Sequence, residues 1–540
     1  MGEAVFAGAG VFICAAVIWA LSSRDRKQKK KNGIHEKFGK IPKSREWNDQ
    51  VRNYYDVVSG GIGVDDVTWN DLSMDEVFRR INQCDTSAGE EVLYAKLRKA
   101  QMSIEERQLF ERRVRTFAGN EKEREAVEWY LYDIGKSGAS YYIPSYMDVV
   151  EGSSFRYAWM YRVLQILLAA AVILCLFLRN DAAGIVLLSI CAVNLAVYIA
   201  MKMKYETEIS MAGTAVNLIE TAKKLVGRKE IELLFPELKK GVNELKGVLR
   251  GFRLLRSQMA GGASGDVMGV LLDYILGITL WQITTYHKVM RGLSENVSAY
   301  FTVYECVGEL DTVICTASFR ESLPWYCLPK YTDDRKIAMK ELYHPLIKNP
   351  VANDLELKKS CLITGSNASG KSTFIKAVSI NMILAQALNT CAAGALILPE
   401  CNVITSMAVR DDLMAGESYF IREIRYLKRI LDSLDDNRLT VCAIDEILRG
   451  TNTGERIRSS RAILEYLSDK NCIALVATHD RELTDLMGDA YANYHFSEEI
   501  GENDIAFSYK LMEGPAASHN AVKLLEFAGF PEEIIAAAQE

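Results

Sequence analysis

The chain has 540 residues, of which 49% are hydrophobic and 25% charged, with a formal net charge of −6. That length has room for about three or four ordinary domains, and the mildly acidic balance argues against indiscriminate nucleic-acid binding while leaving room for a local basic groove. The 12 cysteines include no C-x-x-C pair, and Cys14, Cys175, Cys191 and Cys361 sit in apolar runs, which predicts a reducing compartment, no disulfide partner and no zinc site.

Residues Ala4 to Leu21 form an uncharged apolar run long enough to cross a bilayer. Only Glu3 precedes it as a charge, and Arg24-Asp25-Arg26-Lys27-Gln28-Lys29-Lys30-Lys31 follows. A secretory signal carries its positive charge ahead of the apolar core. The order found here predicts a retained anchor, its N-terminus outside and its basic stretch on anionic membrane lipid. Two more apolar runs, Val163 to Leu178 and Ala183 to Met201, are separated only by Arg179-Asn180-Asp181-Ala182 and predict a helical hairpin. Arg156, Arg162, Lys202 and Lys204 flank its open end, which the positive-inside rule keeps in the cytoplasm. Tyr157, Trp159, Tyr161 and Tyr198 are spaced as interfacial aromatics. A further apolar stretch, Val267 to Trp281, carries Asp273 midway and is short for a span. As a crossing it would also export everything after it, so it is expected to be a buried soluble helix. Three crossings leave residues 23–160 and 202–540 in the cytoplasm.

Between these runs the pattern is helical. Met74, Val77, Phe78 and Ile81 fall at helix spacing, with Ser73 as the expected cap, and Asp85-Thr86-Ser87-Ala88-Gly89 reads as a turn or cap. A second helical pattern runs from Tyr205 to about Arg256, broken by Gly261-Gly262-Ala263-Ser264-Gly265. It resumes over 266–310, ending in Gly308-Glu309-Leu310-Asp311. No catalytic constellation lies in these helices.

Chemistry begins with Gly365-Ser366-Asn367-Ala368-Ser369-Gly370-Lys371-Ser372-Thr373. The apolar run Cys361-Leu362-Ile363-Thr364 precedes it and a helix-like run follows, the strand–loop–helix context of a phosphate-binding loop. The glycines let successive backbone N–H groups face phosphate oxygens. Lys371 is placed to reach the β and γ phosphates, and the Ser372 hydroxyl to ligate Mg²⁺. Further on, Val441-Cys442-Ala443-Ile444 ends in Asp445-Glu446, and Cys472-Ile473-Ala474-Leu475-Val476-Ala477-Thr478 ends at His479. Asp445 is suited to hold Mg²⁺ through water, Glu446 to orient or deprotonate an attacking water, and His479 to sense the γ phosphate. One such ending is common in solvated loops; the three together predict nucleotide hydrolysis.

Asp445-Glu446-Ile447-Leu448-Arg449-Gly450-Thr451-Asn452-Thr453 resembles the D-E-x-x-R-G-T-[ST]-T block of the MutS mismatch-repair ATPases. Asp411 to Phe420 is similar to that family's signature loop, and Ala477-Thr478-His479-Asp480-Arg481-Glu482-Leu483 to its S-T-H-x-x-E-L. Tyr343-His344-Pro345-Leu346 with Asn353-Asp354 resembles the start of its ATPase domain, and Gly514 to His519 with Ala528-Gly529-Phe530-Pro531 its close. Thr86-Ser87-Ala88-Gly89 and Glu309-Leu310-Asp311 fit the helical core and lever before the ATPase. The resemblance covers roughly 70–150 and 205–540.

It implies an ABC-type ATPase using ATP and Mg²⁺ and working as a homodimer. Lys371, Ser372, Asp445, Glu446 and His479 would form one half-site; Ser418 would reach the partner's nucleotide in trans, and Asn452–Thr453 would lie near the seam. ATP binding would then move the helical levers. There are departures: Ser366 and Ala368 stand where Pro and Met are usual, Tyr419 where Thr is, and Asn520 where Gly is. No Phe-x-Glu wedge of the kind that unstacks a base step is found, so mismatch specificity is not expected to carry over and DNA binding stays open.

The expected architecture is multi-domain: an all-α core and lever region with transmembrane helices, then an α/β P-loop NTPase domain of ABC type. Its divisions are a 1–22 anchor, a 23–160 first half of the cytoplasmic core, a 161–203 transmembrane hairpin, a 204–330 lever and second half, and a 331–540 ATPase domain. The expected protein is a multi-pass cell-membrane ATPase with its catalytic domain in the cytoplasm. The alternative is an ATP-driven transporter or membrane-remodelling switch unrelated to DNA.

Overall fold

The computed structural model describes residues 24–25, 27–43, 48–59, 63–150, 158–249, 277–366, 369–407, 419–500, 505–516 and 529–539. The predicted anchor Ala4 to Leu21, the glycine break at 261–265, Asn367 and Ala368 of the phosphate loop, the signature residues Asp411 to Ser418, and Ser518-His519 and Asn520 lie outside them.

The N-terminal part is helical. Met74, Val77, Phe78 and Ile81 are all buried, as their spacing predicts. Ser73 precedes their helix but makes no side-chain cap; its backbone turns left-handed instead, at φ 53°. Helix α1 (Ser87–Lys99) is capped by Thr86, whose side chain accepts the Gly89 N–H. It is followed by α2 (Ile104–Gly119), which opens with a capping box between Ser103 and Glu106, and α3 (Glu121–Ile134).

Two helices long and apolar enough to cross a membrane come next, α4 (Ala158–Leu178) and α5 (Asp181–Leu225). They pair as a hairpin, and Asn180 caps the second by accepting the Ala183 N–H at 2.9 Å. The second apolar run does not end as a separate helix: α5 continues to Leu225 through one distorted residue, Tyr205 (φ −119°, ψ 25°). Most large side chains of the hairpin face outward, among them Phe177 at 84% exposure and Leu188 at 71%. Trp159 is exposed, but Tyr161 and Tyr198 are not. They are buried against Leu280 and Ile283, and Tyr198 donates its hydroxyl to Gln282 Oε1 at 2.7 Å. The two rings that the sequence reads as interfacial are thus covered by protein, from a segment remote in sequence.

Further along the chain, α6 (Trp281–Ser294) and α7 (Val297–Glu321) are separate, and α7 runs straight through Gly308–Asp311 rather than ending there. Gly308 is a contact rather than a break. A Cβ on it would lie 2.4 Å from Val92 Cγ2 and 2.6 Å from the Ala88 carbonyl, so the missing side chain lets α7 lie against α1. Beside it the buried Asp311 carboxylate accepts the Thr86 N–H and hydroxyl at 2.8 and 2.6 Å and the Asp85 N–H at 3.0 Å.

The C-terminal part is α/β. A four-stranded sheet joins β1 (Lys330–Tyr331), β5 (Ala395–Leu398), β2 (Ile337–Leu342) and β3 (Asn353–Leu357) in that order. A six-stranded sheet has the order β10 (Ile505–Glu513), β9 (Ala492–Ile500), β4 (Cys361–Thr364), β8 (Cys472–Ala477), β7 (Leu439–Asp445) and β6 (Cys401–Ser406). All neighbours in it are parallel except β10 with β9. β4 and β8 are buried at every position, the apolar reading of a central parallel strand. Helices α8 (Lys371–Leu388), α9 (Tyr419–Asp432) and α10 (Thr453–Ser468) connect the strands.

Candidate nucleotide site

Strand register brings the predicted residues to one edge. Ile363 of β4 pairs with Ala477 of β8, and Asp445 of β7 pairs with the same residue. The three strand ends therefore deliver Gly365, Glu446 and His479 side by side, at the carboxyl edge where open α/β sheets bind ligands. Gly365 and Gly370 have φ of +147° and +109°, and a Cβ on Gly365 would meet the Phe496 carbonyl at 2.7 Å; only glycine follows this path at low cost. α8 starts directly at Lys371, with its N-terminus toward the loop.

Ser366, Gly370, Lys371, Ser372, Thr373, Asp445, Glu446 and His479 line one cavity of about 490 Å³. The Lys371 ammonium donates to the carbonyls of Gly365 and Ser366 at 2.7 and 2.8 Å and lies 3.5 Å from His479 Nε2. Glu446 meets His479 Nε2 at 2.9 Å through one oxygen and Arg449 Nε at 3.1 Å through the other. The bond from His479, with Arg449 and Lys371 adding to it, holds the Glu446 carboxyl below its ordinary range although burial pushes it up. Ser369 stays within the loop, its hydroxyl donating to the Ser366 carbonyl at 2.9 Å. The Ser372 hydroxyl and the Asp445 carboxylate are hard oxygen donors of the kind Mg²⁺ takes, and their shared cavity fits that ion.

Several contacts of the site are not read from the motifs, although His344, Arg449, Gly450, Asn452 and Asp480 stand in them. The far wall of the cavity is formed by His344, Ile347, Pro350, Val351, Phe374 and Tyr509, from three separate stretches. Burial, with Lys376 nearby, lowers the His344 pKa to about 4. Glu423 of α9, 4% exposed, accepts the N–H of Arg449 at 2.8 Å and of Gly450 at 3.3 Å. Arg456 holds Asp480, the neighbour of His479, through two bonds of 2.7 and 2.5 Å. Asn452 caps α10 by accepting the Glu455 N–H.

A parallel sheet with a glycine loop opening a lysine-headed helix, and acidic and histidine strand ends alongside, defines a P-loop NTPase domain. Residues 361–540 match the family description "MutS domain V". The chain is 31% identical over 266 residues to the DNA mismatch repair protein MutS of Pseudothermotoga lettingae, covering 47% of this chain and 32% of the relative. It is 30% identical over 283 residues to that of Streptococcus pyogenes serotype M1 (47% and 33%) and 33% identical over 245 residues to that of Natronomonas pharaonis (43% and 28%). Over this domain the chain is similar to the MutS family. It spans about a third of the length of these curated relatives.

Proposed function

We propose that the chain is an ATP hydrolase held at a membrane, binding ATP with Mg²⁺ at the cavity around Lys371 and working as a homodimer. The observation that carries this reading is the convergence of Lys371, Asp445, Glu446 and His479 on one sheet edge. Lys371 holds the phosphates in place of the loop carbonyls it now binds. Ser372 and Asp445 hold Mg²⁺, which screens the phosphate charge when bound. Glu446, steadied by His479, orients water at the γ phosphate. Ser418 reaches the partner's nucleotide, so each site is complete only in the pair.

The membrane reading is supported by the outward apolar surface of α4 and α5 and the basic residues at their open end. A second observation supports it: the helix over 27–37 lies along α3, with Lys30 on Asp133. Asp133 and Ser137 in turn meet Asn217 and Thr214 of α5, so the N-terminal end of the 27–37 helix points to the same end of the core as the hairpin. The expected anchor and hairpin then enter one bilayer, with the ATPase domain cytoplasmic. DNA is the partner suggested by the relatives' name, and the matched stretch is only the part that carries the ATPase.

The test uses the full chain in detergent or native membranes. Glu446→Gln is expected to bind ATP without turning it over, and Lys371→Ala to lose both. Wild-type turnover in both variants would reject the site. Titration of duplex and branched DNA at several salt concentrations tests the DNA partner: phosphate contacts give a steep fall of affinity with salt, and a flat, weak response rejects it.

A further inference from the structure

We propose that residues 277–280 are seated on the hairpin inside the bilayer, so that the chain touches the hydrocarbon at this point. The inference rests on the membrane reading of α4 and α5. The apolar runs Val163 to Leu178 and Ala183 to Met201 contain two amide side chains, Gln165 on α4 and Asn194 on α5. Both are used on one target. Asn194 donates to the Ile278 carbonyl at 2.9 Å and Gln165 to the Thr279 carbonyl at 2.9 Å. One turn further along, Tyr198 donates to Gln282. Gly277 presses on the Tyr198 ring so closely that a Cβ would lie 2.5 Å from it.

The carbonyls need these donors. Leu280 turns left-handed, at φ 52°, and α6 begins after it without a side-chain cap. Gly277 and Ile278 are the last helical residues before this turn, and the carbonyls at a helix C-terminus have no partner within the helix. At a rise of 1.5 Å per residue, Asn194 lies about 12 Å along α5 from Lys202 and Gln165 about 9 Å along α4 from Trp159. If Lys202 and Trp159 mark the interface, these contacts sit within a hydrocarbon layer of about 30 Å. Irregular backbone is tolerated at such depth only where protein supplies its hydrogen bonds, and polar side chains persist there only with partners. Gln165 and Asn194 supply such bonds through their amide N–H groups, while the Asn194 Oδ1 has no hydrogen-bond partner. Leu280, fully buried against Tyr161, Tyr198 and Ile283, closes the seat from the core side. The proposal places in the bilayer the described end of the 267–281 stretch, which the sequence reads as a buried soluble helix.

The experiment places a bimane label on cysteines introduced one at a time into the full chain, with Cys14, Cys175, Cys191 and the half-buried Cys327 replaced by alanine, in proteoliposomes whose acyl chains are brominated. Positions are Leu188→Cys on the hairpin, Ile278→Cys at the seat and Lys288→Cys on α6. Quenching at 188 and 278 but not at 288 is the expected result. Quenching at 188 without 278 overturns the seat and leaves the membrane reading intact, whereas no quenching at 188 removes both. Adding Asn194→Leu is expected to lower quenching at 278 at least twofold and leave 188 unchanged; full quenching at 278 would show that the amide does not hold the segment.

Discussion

Removing the Glu423 carboxylate should slow hydrolysis without weakening nucleotide binding. The loop after β7 carries two non-glycine residues in the left-handed region, Glu446 at φ 63° and Leu448 at φ 56°. Each costs roughly 1–2 kcal/mol, so the loop holds about 2–4 kcal/mol of strain at the residue proposed to orient water. What opposes it is Glu423, accepting the Arg449 and Gly450 N–H groups. Hydrogen bonds to a buried charge are worth about 1.5–3 kcal/mol each, enough to offset the strain. In Glu423→Ala those donors are orphaned and the loop is free to relax. A displacement of about 1 Å at Glu446 is expected to cost on the order of 10²-fold in kcat, or about 2.7 kcal/mol of barrier. Lys371 and the far wall of the cavity do not touch Glu423, so KM for ATP should stay within about threefold. Glu423→Gln keeps one acceptor and should fall between wild type and alanine. Steady-state ATP turnover, paired with binding of a fluorescent nucleotide and a melting curve, separates this from unfolding. If both variants turn over ATP within about twofold of wild type, Glu423 does not position the loop.

The helical core offers a second test. Asp311→Ala strands the Asp85 and Thr86 N–H groups in a buried site, at about 1–3 kcal/mol each. The urea midpoint should fall accordingly, with Asp311→Asn losing less; an unchanged midpoint would refute the account of this cap. The third concerns pH. His344 has its pKa lowered to about 4 in the fold, first by burial, against about 6.5 in an unfolded chain. A depressed group contributes stability that is complete above the unfolded pKa and is lost as pH falls through the folded one. Stability should therefore decline from about pH 6.5 toward 4, and His344→Gln should decline less steeply in thermal melts; identical slopes would refute it.

Legibility followed how local each signal was. The phosphate loop, the Asp445–Glu446 strand end and the 479 position were readable because each is a short string whose backbone path its own residues dictate. Their convergence depended only on parallel pairing of β4, β8 and β7, which apolar β-branched runs specify. Glu423 was not legible, since its function here comes from a neighbour more than twenty residues away, and neither was the His344–Tyr509 wall, assembled across the sheet. Gly308 shows the opposite error. A glycine reads as a break, yet here the close approach of α1 decides, and the helix continues to Glu321. Tyr161 and Tyr198 were read by their place along the hairpin, which says nothing about the remote segment that covers them.

The same contacts bear on how phosphate chemistry could reach the hairpin. α8 has Lys371 at one end, and at the other the Asn389 carbonyl and the Thr390 hydroxyl accept from Arg320 of α7 at 3.1 and 2.8 Å. Arg320 is 5% exposed and also grips Glu111 of α2 through bonds of 3.2 and 2.8 Å. A helix of this kind transmits displacement rather than absorbing it, because its backbone bonds and the packed core around it resist compression. α7 is fastened to α1 through Gly308 and Asp311, and α6, just before it in the chain, sits against the hairpin at Gln165 and Tyr198. The soft point on the remaining route, α5, is Tyr205, where the helical angles are lost and the ring meets Tyr286 of α6 at 5.9 Å. A shift at the phosphate loop would thus arrive at the hairpin base through stiff elements and be taken up at one residue, which makes Tyr205 the place where ATPase-driven bending should concentrate.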